Sequence, residues 1–392
     1  MAETTGPSWS DIPVDLAGRI LRHLPAYVDR LRFAAVCPQW RAAARLGPLP
    51  PPLPLLLLSD STVYSLPGSK PLHLLVPCCC TGYTDVCGNW LFFSGDDGCF
   101  LRNPFSNTTM ALPALSLDRI RYVGDKSVDE FYLECEEDGR LEYEPDRCKL
   151  LFCSLDLVVA IVSLWSGRRL AVCKPGAATS WWYVSADGQY SDFVGMTFHQ
   201  GKLYALTSMD ELFAIEVSLD HSTGDPWVTQ MRPVINNPPL FIPAEFFMET
   251  KVTYLVEARG ALLMVLRKMQ PCYAQGVTGI AIFETTAGVQ NEFEVFQANF
   301  RKSQWTKVTT LGDDQILFLR QQCCESVCVS HDEVPGDCIF FLENEDEDRL
   351  WSKASSSSCS VYSMRDGKIS TPLPTVSWKR GTVFATWLFP EN

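Results

Sequence analysis

Positive charge is scarce in this chain. Its 392 residues include 33 Lys and Arg against 46 Asp and Glu, so the formal net charge is −13. Binding to a nucleic-acid backbone depends on Lys and Arg displacing counterions from the phosphates. An acidic chain is a poor match for that role, and we expect no nucleic-acid partner.

Long apolar runs are missing as well. The strongest run, Leu53–Leu58, is interrupted by Pro54 and is far shorter than the roughly 20 residues that span a bilayer. Residues 1–11 have neither the basic start nor the apolar stretch of a secretory signal. We therefore expect a soluble intracellular protein with no membrane partner, in which the 16 cysteines stay reduced.

Recognisable catalytic motifs are also absent from the sequence. It contains no Gly-rich phosphate loop, no Gly-x-Ser-x-Gly and no His-Glu-x-x-His. Of the five histidines, His199 lies in a strand-turn repeat without a recognisable acid–base partner, which favours a structural role. These patterns indicate a protein that is not an enzyme and has no catalytic residues.

The best candidates for metal ligands are near the C-terminal third of the chain. Thiolates and an imidazole can complete a tetrahedral zinc site, and the residues that could supply them are Cys323, Cys324, Cys328 and His331. Adjacent cysteines cannot easily point at one ion, however. We interpret these residues as ordinary thiols and expect no metal and no cofactor.

The N-terminal segment, residues 9–45, has the pattern of three short helices. Ser10 or Asp11 can cap the first helix, and the fixed φ of Pro13 suits its first turn. Its apolar positions on one face are Leu16, Ile20, Leu21 and Leu24. This spacing predicts an amphipathic helix.

Two further helices follow after Tyr27. The second has apolar residues at i, i+3 and i+7, namely Val28, Leu31 and Ala35, and it ends at Pro38. Pro38 also opens the third helix, whose apolar side consists of Trp40, Ala43 and Ala44, and Gly47 is placed to end it. A unit of about 40 residues cannot usually bury enough surface to stand alone. Its apolar faces must meet a partner or cap the rest of the chain, and periodicity does not separate these alternatives.

The same segment resembles an F-box. Ile12-Pro13 stands where the family usually has Leu-Pro, and the ordered matches continue through Asp15-Leu16, Ile20-Leu21, Leu24-Pro25, Arg32–Cys37 and Trp40-Arg41. The resemblance implies docking on the Skp-type adaptor of a cullin-based ubiquitin ligase. It implies contact or core roles for Ile12, Pro13, Leu16, Ile20, Leu21, Leu24, Val36, Cys37 and Trp40. Gly18 departs from a strong helix, since glycine there costs about 1 kcal/mol relative to alanine.

The rest of the chain divides into a linker and a β region. Residues 1–47 form the predicted F-box, residues 48–54 a Pro-rich linker that favours an extended, semi-rigid spacer, and residues 55–392 the β domain. From Leu55 onward, short apolar runs alternate with Gly, Asp, Asn and Pro, which is typical of all-β structure.

A strand-turn-strand unit repeats along the β region. Turn glycines precede predicted strands at Gly88, Gly201, Gly260 and Gly336, and the return strands are predicted to start at Cys99, Leu212, Ile280 and Ser360. Repeats of this kind predict a mainly β fold, a kelch-like β-propeller of about six or seven blades, with a sandwich or stacked sheets as the alternative. The polar segments Asp125–Asp146 and Glu343–Ser358 are predicted to be solvated loops.

A second resemblance covers most of this region. Arg169–Gly176, Trp181-Trp182, Phe198–Leu206, Leu212–Val217, Trp305–Val308 and Gly336–Phe341 follow the order seen in a plant F-box family with a C-terminal, kelch-like domain of unknown function. It implies a cytosolic or nuclear ligase receptor whose propeller recruits an unidentified protein target. Exposed aromatics such as Trp181, Trp182 or Trp351 could anchor that target, with a core role as the equally favoured alternative for Trp181 and Trp182. The alternative is an interaction scaffold with a degenerate F-box that assembles no ligase.

Overall fold

A computed structural model describes most of the chain. The described residues are 9, 12–45, 49–68, 71–72, 81–95, 98–113, 120–123, 148–154, 157–164, 167–176, 181–184, 192–236, 250–273, 286–320, 323–329, 334–342, 356–371, 377–379 and 385–390. Among them, no helix combines the length and the apolar character needed to cross a membrane.

Three helices open the described part of the chain, as predicted. They are α1 (Val14–Arg22), α2 (Tyr27–Val36) and α3 (Pro38–Ala43). Pro13 occupies the N-cap of α1, and no side chain caps that helix; Ser10 and Asp11 lie outside the described residues. The third helix starts as the sequence predicts, with Pro38 in its first turn, and the Cys37 sulfur accepts a hydrogen bond from the Trp40 N–H at 3.4 Å.

Six sheets follow the helices. We number them as blades 1 to 6, and the strands, in chain order, are β1 (Leu55–Leu58), β2 (Val63–Ser65) and β3 (Pro71–Leu72) in blade 1; β4 (Asp85–Cys87), β5 (Trp90–Gly95), β6 (Gly98–Arg102) and β7 (Thr109–Leu112) in blade 2; β8 (Ile120–Val123), β9 (Cys148–Ser154), β10 (Leu157–Leu164), β11 (Gly167–Cys173) and β12 (Trp181–Val184) in blade 3; β13 (Phe193–His199), β14 (Lys202–Thr207), β15 (Leu212–Leu219) and β16 (Pro226–Ile235) in blade 4; β17 (Thr250–Ala258), β18 (Ala261–Tyr273), β19 (Thr286–Asn299) and β20 (Gln304–Val308) in blade 5; and β21 (Gln315–Leu319), β22 (Glu325–Cys328), β23 (Cys338–Leu342), β24 (Ser356–Ser363), β25 (Ile369–Ser370) and β26 (Ser377–Lys379) in blade 6.

A last strand closes the ring. This strand, β27 (Ala385–Leu388), pairs antiparallel with β1 and so joins blade 1. One edge strand of each of blades 2 to 6 contacts the next, since β4 meets β9, β9 meets β13, and β13 meets β17, which meets β22 of blade 6. Closure of this kind protects the sheet edges. The predicted propeller is confirmed with six blades, and the sandwich alternative does not hold.

Glycine turns start the inner hairpins as the sequence predicts. Gly88, Gly201 and Gly260 all have positive φ. Gly201 and Gly260 directly precede β14 and β18, and Gly88 lies two residues before the start of β5. Ile280 lies outside the described residues, and the return strand described in that blade is β19. In blade 6, β24 begins at Ser356, so the predicted loop ends earlier than expected; the rest of that segment and Asp125–Asp146 lie outside the described residues.

Blade 6 departs from the simple antiparallel pattern. Strand β21 pairs antiparallel with β22 but parallel with β23. The chain comes back to β21 through Gly336, where an added Cβ would lie 2.0 Å from the carbonyl oxygen of Asp313. Only glycine allows this close approach of two backbones, so Gly336 is needed for the parallel pairing.

The Pro-rich segment is not a free spacer. Leu53 is buried in one core cluster with Trp387 of β27, and its N–H donates to the Pro25 carbonyl oxygen at 2.9 Å. Ala26 and Leu53 also form a parallel β-bridge. Because the Leu53 backbone hydrogen-bonds to the helical unit and the Leu53 side chain lies in the propeller core, the segment holds the two together.

Candidate adaptor-binding surface

The helical unit has a small core of its own. Its buried residues are Ala17, Leu21, Phe33 and Ala43, and Ile12, Leu24 and Trp40 pack against them. The Trp40 ring lies 4.5 Å from that of Phe33, and its indole N–H donates to the Trp9 carbonyl oxygen at 3.2 Å. Of the candidate residues, Ile12, Leu21, Leu24 and Trp40 therefore serve the core. Cys37, half-buried, caps α3.

A second set of apolar residues faces outward. Leu16, Ile20 and Val36 are 45%, 40% and 56% exposed, Leu31 is 39% exposed, and Pro13 is exposed as well. Pro13, Leu16 and Ile20 are spaced i, i+3 and i+7, which puts them on one side of α1. Half of the exposed large apolar residues in the described chain belong to this small unit. Such a concentration marks an interaction surface.

A third face of the unit contacts the propeller. Val28 is buried in a cluster with β-strand residues of blades 1 and 2, including Leu55, Leu57 and Leu91. The Tyr27 ring meets the Phe105 ring edge-on at 5.5 Å. The stripe predicted for α2 is thus divided, because Val28 faces the propeller while Leu31 faces solvent. One face of the helices therefore caps the propeller, as one of the two interpretations expects, while another face stays exposed.

Sequence patterns did not reveal a buried cation at this junction. The Arg30 side chain is 8% exposed; its Nε donates to the Leu24 carbonyl oxygen at 2.8 Å and its Nη1 to the Pro50 carbonyl oxygen at 2.7 Å. Burial lowers the pKa of Arg30. The Arg30 guanidinium therefore connects α2 to the segment that follows α1 and to the linker. No periodicity marks such a residue, since an arginine in a helix normally indicates an exposed position.

The cysteine candidates do not converge in the structure. Cys323 is buried, which raises the pKa of its thiol well above the usual value. The Cys324 sulfur donates to the Arg320 carbonyl oxygen at 3.0 Å, and the Cys328 sulfur to Gln315 Oε1 at 3.4 Å. His331 lies outside the described residues. Among the residues that the structure describes, no group of His, Cys, Asp or Glu could hold a metal ion.

The predicted aromatic anchors are only partly described. Trp181 and Trp182 belong to β12, but their side chains, like all of Trp351, lie outside the described residues. The propeller instead exposes Phe198, Trp227 and Phe300, at 39%, 38% and 40%. No sequence pattern marks these residues, because single aromatics in strand-turn repeats look the same whether they face the core or solvent.

Comparison with known proteins gives three matches. Residues 58–363 match the family described as KIB1-4 beta-propeller, and residues 9–49 match the F-box domain. The chain is also similar to F-box protein At2g26160 of Arabidopsis thaliana, at 22% identity over 360 residues, which cover 86% of this chain and 96% of that protein. Residues 50–57, which include the first three residues of β1, separate the two matches.

Proposed function

The chain belongs to the KIB1-4 beta-propeller family and carries an F-box domain, and on that premise we propose that it is the substrate-recognition subunit of an SCF-type ubiquitin ligase. In this proposal the F-box docks on a Skp-type adaptor and through it on a cullin. The propeller recruits a protein target for ubiquitination. The membership and the domain pair support an F-box substrate-recognition protein in general; assembly and ubiquitination are the steps proposed here.

One observation carries the proposal most directly. The helical unit completes its own core with Leu21, Phe33 and Trp40, and yet it leaves Leu16, Ile20 and Val36 at the surface. Complete burial of such a side chain is worth about 1.5–3 kcal/mol, and these three, each about half exposed, forgo roughly half of that. A partner that covers them would recover this free energy, which is what docking on an adaptor requires.

The proposed contribution to ubiquitination is proximity, not chemistry. Holding a target lysine near the transfer machinery turns an encounter in solution into a step within one complex. The contacts of Val28 and Arg30 with the propeller and linker favour this role, because they fix the direction of the propeller relative to the adaptor. We propose accordingly that the chain is a non-catalytic subunit.

We also propose a reducing compartment, the cytosol or the nucleus. Cys99 and Cys173 lie in one buried cluster as thiols, with no disulfide bond between them. Burial and the neighbouring Cys99 raise the pKa of the Cys173 thiol. Two enclosed thiols that stay unlinked fit a protein that is kept reduced.

Assembly of the purified proteins tests the proposal. The full chain is mixed with a Skp-type adaptor and a cullin and run on size-exclusion chromatography with light scattering. We expect one peak with the summed mass, and an Ile20→Glu chain that elutes apart from a preformed adaptor–cullin pair. Separate elution of a well-folded wild-type chain would support the scaffold with a degenerate F-box instead.

A further inference from the structure

One surface of the propeller combines exposed aromatic rings with positive charge. It lies where blade 4 meets blade 5, and we call it the blade 4/5 surface. Its residues are Lys202, Trp227, Arg232, Phe300, Arg301 and Lys302. All six are exposed. The F-box does not use them, because they belong to strands and turns of the two blades.

Phe300 sits on a rigid base. It directly follows β19 of blade 5, and its ring lies 5.4 Å from the Tyr204 ring of blade 4 and stacks at 6.0 Å on the His199 ring. Tyr204 and His199 are both buried, at 8% and 3% exposure. Phe300, which is 40% exposed, therefore offers a fixed apolar surface at the boundary of the two blades.

Strand register places the blade 4 residues on the same side as Tyr204. Tyr204 pairs with Ala214, and Ala214 pairs with Arg232, so these side chains share one side of the sheet. Lys202 is two residues from Tyr204 and has the same orientation. Trp227 precedes Val228, whose side chain enters the core between blades 3 and 4, so Trp227 faces the opposite way, toward blade 5.

The charge of this surface differs from that of the whole chain. Within the described residues, Lys202, Arg232, Arg301 and Lys302 make no ion pair, whereas the other four exposed cations of the described propeller do: Arg259 with Asp314, Lys307 with Glu294, Arg365 with Asp313 and Lys368 with Asp366. Around Phe300 the acidic neighbours are Glu216, next to Lys202 in register, and Glu257, which accepts a hydrogen bond from the Gly260 N–H. Asp220 and Asp225 lie at the tip of the β15–β16 hairpin, beside Trp227. Around Phe300, away from that hairpin tip, four cations against two acids give local positive charge on a chain with net charge −13.

We propose that the blade 4/5 surface binds an acidic segment of the recruited protein. Large apolar side chains of that segment pack on Phe300 and, separately, on Trp227, and its Asp and Glu residues pair with the four cations. Aromatic residues supply most of the interface energy in such contacts, and opposite charge speeds the encounter. Nucleic acid is disfavoured because the acidic remainder of the chain repels a phosphate backbone. The proposal rests on the proposed function, since it names the class of target for that receptor.

A peptide selection tests the inference. A displayed library of random short peptides is selected against the full chain bound to its adaptor, and enriched peptides are titrated by fluorescence polarisation. We expect peptides with net negative charge and at least one aromatic or large aliphatic residue. Phe300→Ala, and separately Arg301→Glu with Lys302→Glu, should each weaken binding by about tenfold or more.

Blade 6 supplies matched control variants. Ile369 is exposed to the same degree as Phe300, and Lys368 is an exposed cation beside it. Ile369→Ala and Lys368→Glu should leave peptide binding unchanged. Equal weakening by these controls, enrichment of neutral or basic peptides, or no enrichment would overturn the inference. Binding of a labelled single-stranded RNA that is lost in the Arg301→Glu and Lys302→Glu chain would overturn it in favour of nucleic acid.

A further chain separates the two proposals. The same peptides are titrated against a Leu16→Glu chain without adaptor. If peptides still bind this chain and the wild-type chain binds no adaptor, the ligase proposal is overturned and the peptide-site proposal stands. If the wild-type chain binds the adaptor but no peptide is enriched, the peptide-site proposal is overturned and the ligase proposal stands.

Discussion

The guanidinium of Arg30 donates to the carbonyl oxygen of Pro50 across 2.7 Å and so joins the second helix of the F-box to the linker that enters the propeller. The same side chain also holds the last turn after α1 through the Leu24 carbonyl oxygen. This contact makes the F-box and the propeller parts of one structure. Mutations on separate faces of the helical unit should therefore have separate effects on stability and on adaptor binding.

Arg30→Met should destabilise the chain. It removes the hydrogen bonds to the Leu24 and Pro50 carbonyl oxygens and leaves two partly buried acceptors without this donor, at a cost of about 1–3 kcal/mol. Chemical denaturation of the full chain measures the loss. Arg32→Met is the matched control, because Arg32 lies on the same helix but forms only an exposed ion pair with Asp29, worth about 0–1 kcal/mol. Equal effects of the two substitutions would contradict the role given to Arg30.

Two apolar residues of α2 should separate stability from binding. Val28→Ala opens a cavity between the F-box and blades 1 and 2, and we expect a loss of about 1–3 kcal/mol with adaptor affinity largely kept. Leu31→Ala removes an exposed side chain, so stability should change by less than about 0.5 kcal/mol while adaptor affinity falls. Thermal melts and adaptor titrations on both chains check this. A Val28→Ala chain as stable as wild type would mean that α2 does not pack on the propeller.

Gly18→Ala should strengthen the F-box. An added Cβ at Gly18 meets no atom within 4 Å, and alanine is favoured over glycine inside a helix by about 0.5–1 kcal/mol. We expect a higher free energy of unfolding for the helical unit and adaptor affinity at least equal to wild type, measured by denaturation and titration. Weaker adaptor binding by a more stable chain would show that the partner approaches α1 too closely at this point for a methyl group.

A carboxyl in blade 6 should make stability depend on pH. Burial raises the pKa of Glu325 from 4.5 to about 7. Because the folded state then holds the proton more tightly than the unfolded state, this group costs stability progressively as the pH rises from about 4.5 to about 7 and by a constant amount above that. Glu325→Gln should raise the melting temperature at about pH 8, and the difference from wild type should shrink toward about pH 5.

The control for this pH series is Glu216→Gln. Glu216 lies on β15 and is exposed, so its replacement should shift the melting temperature little at any pH. A Glu325→Gln chain that melts like wild type at every pH, or that is less stable near pH 8, would contradict the account of this carboxyl.

The sequence predicts whether a segment is helix or strand more easily than it predicts what that segment packs against. Helical spacing and Pro38 located three helices, and turn glycines such as Gly201 located the inner hairpins, because these signals act within a few residues. The sequence does not show which apolar residues belong to the core. Leu16 and Leu21 lie in one apolar stripe, yet only the structure shows that Leu21 is buried and Leu16 is 45% exposed.

Contacts between distant segments were also beyond the sequence. The Pro-rich segment reads as a spacer because prolines lack backbone donors, but Leu53 is buried against Trp387, more than three hundred residues later. The parallel pairing of β21 with β23 likewise follows from Gly336 passing over Asp313, a long-range approach that no local pattern indicates.

Titration calorimetry of the full chain into a Skp-type adaptor tests the central claim most directly. Wild type should bind, Leu16→Glu should lose binding, and Met209→Glu, which changes an even more exposed apolar residue at the turn after β14, should bind like wild type. The melting temperatures of all three chains should agree closely, because both positions are at the surface. A folded wild-type chain that gives no binding heat, or a Leu16→Glu chain that binds equally well, would contradict the account.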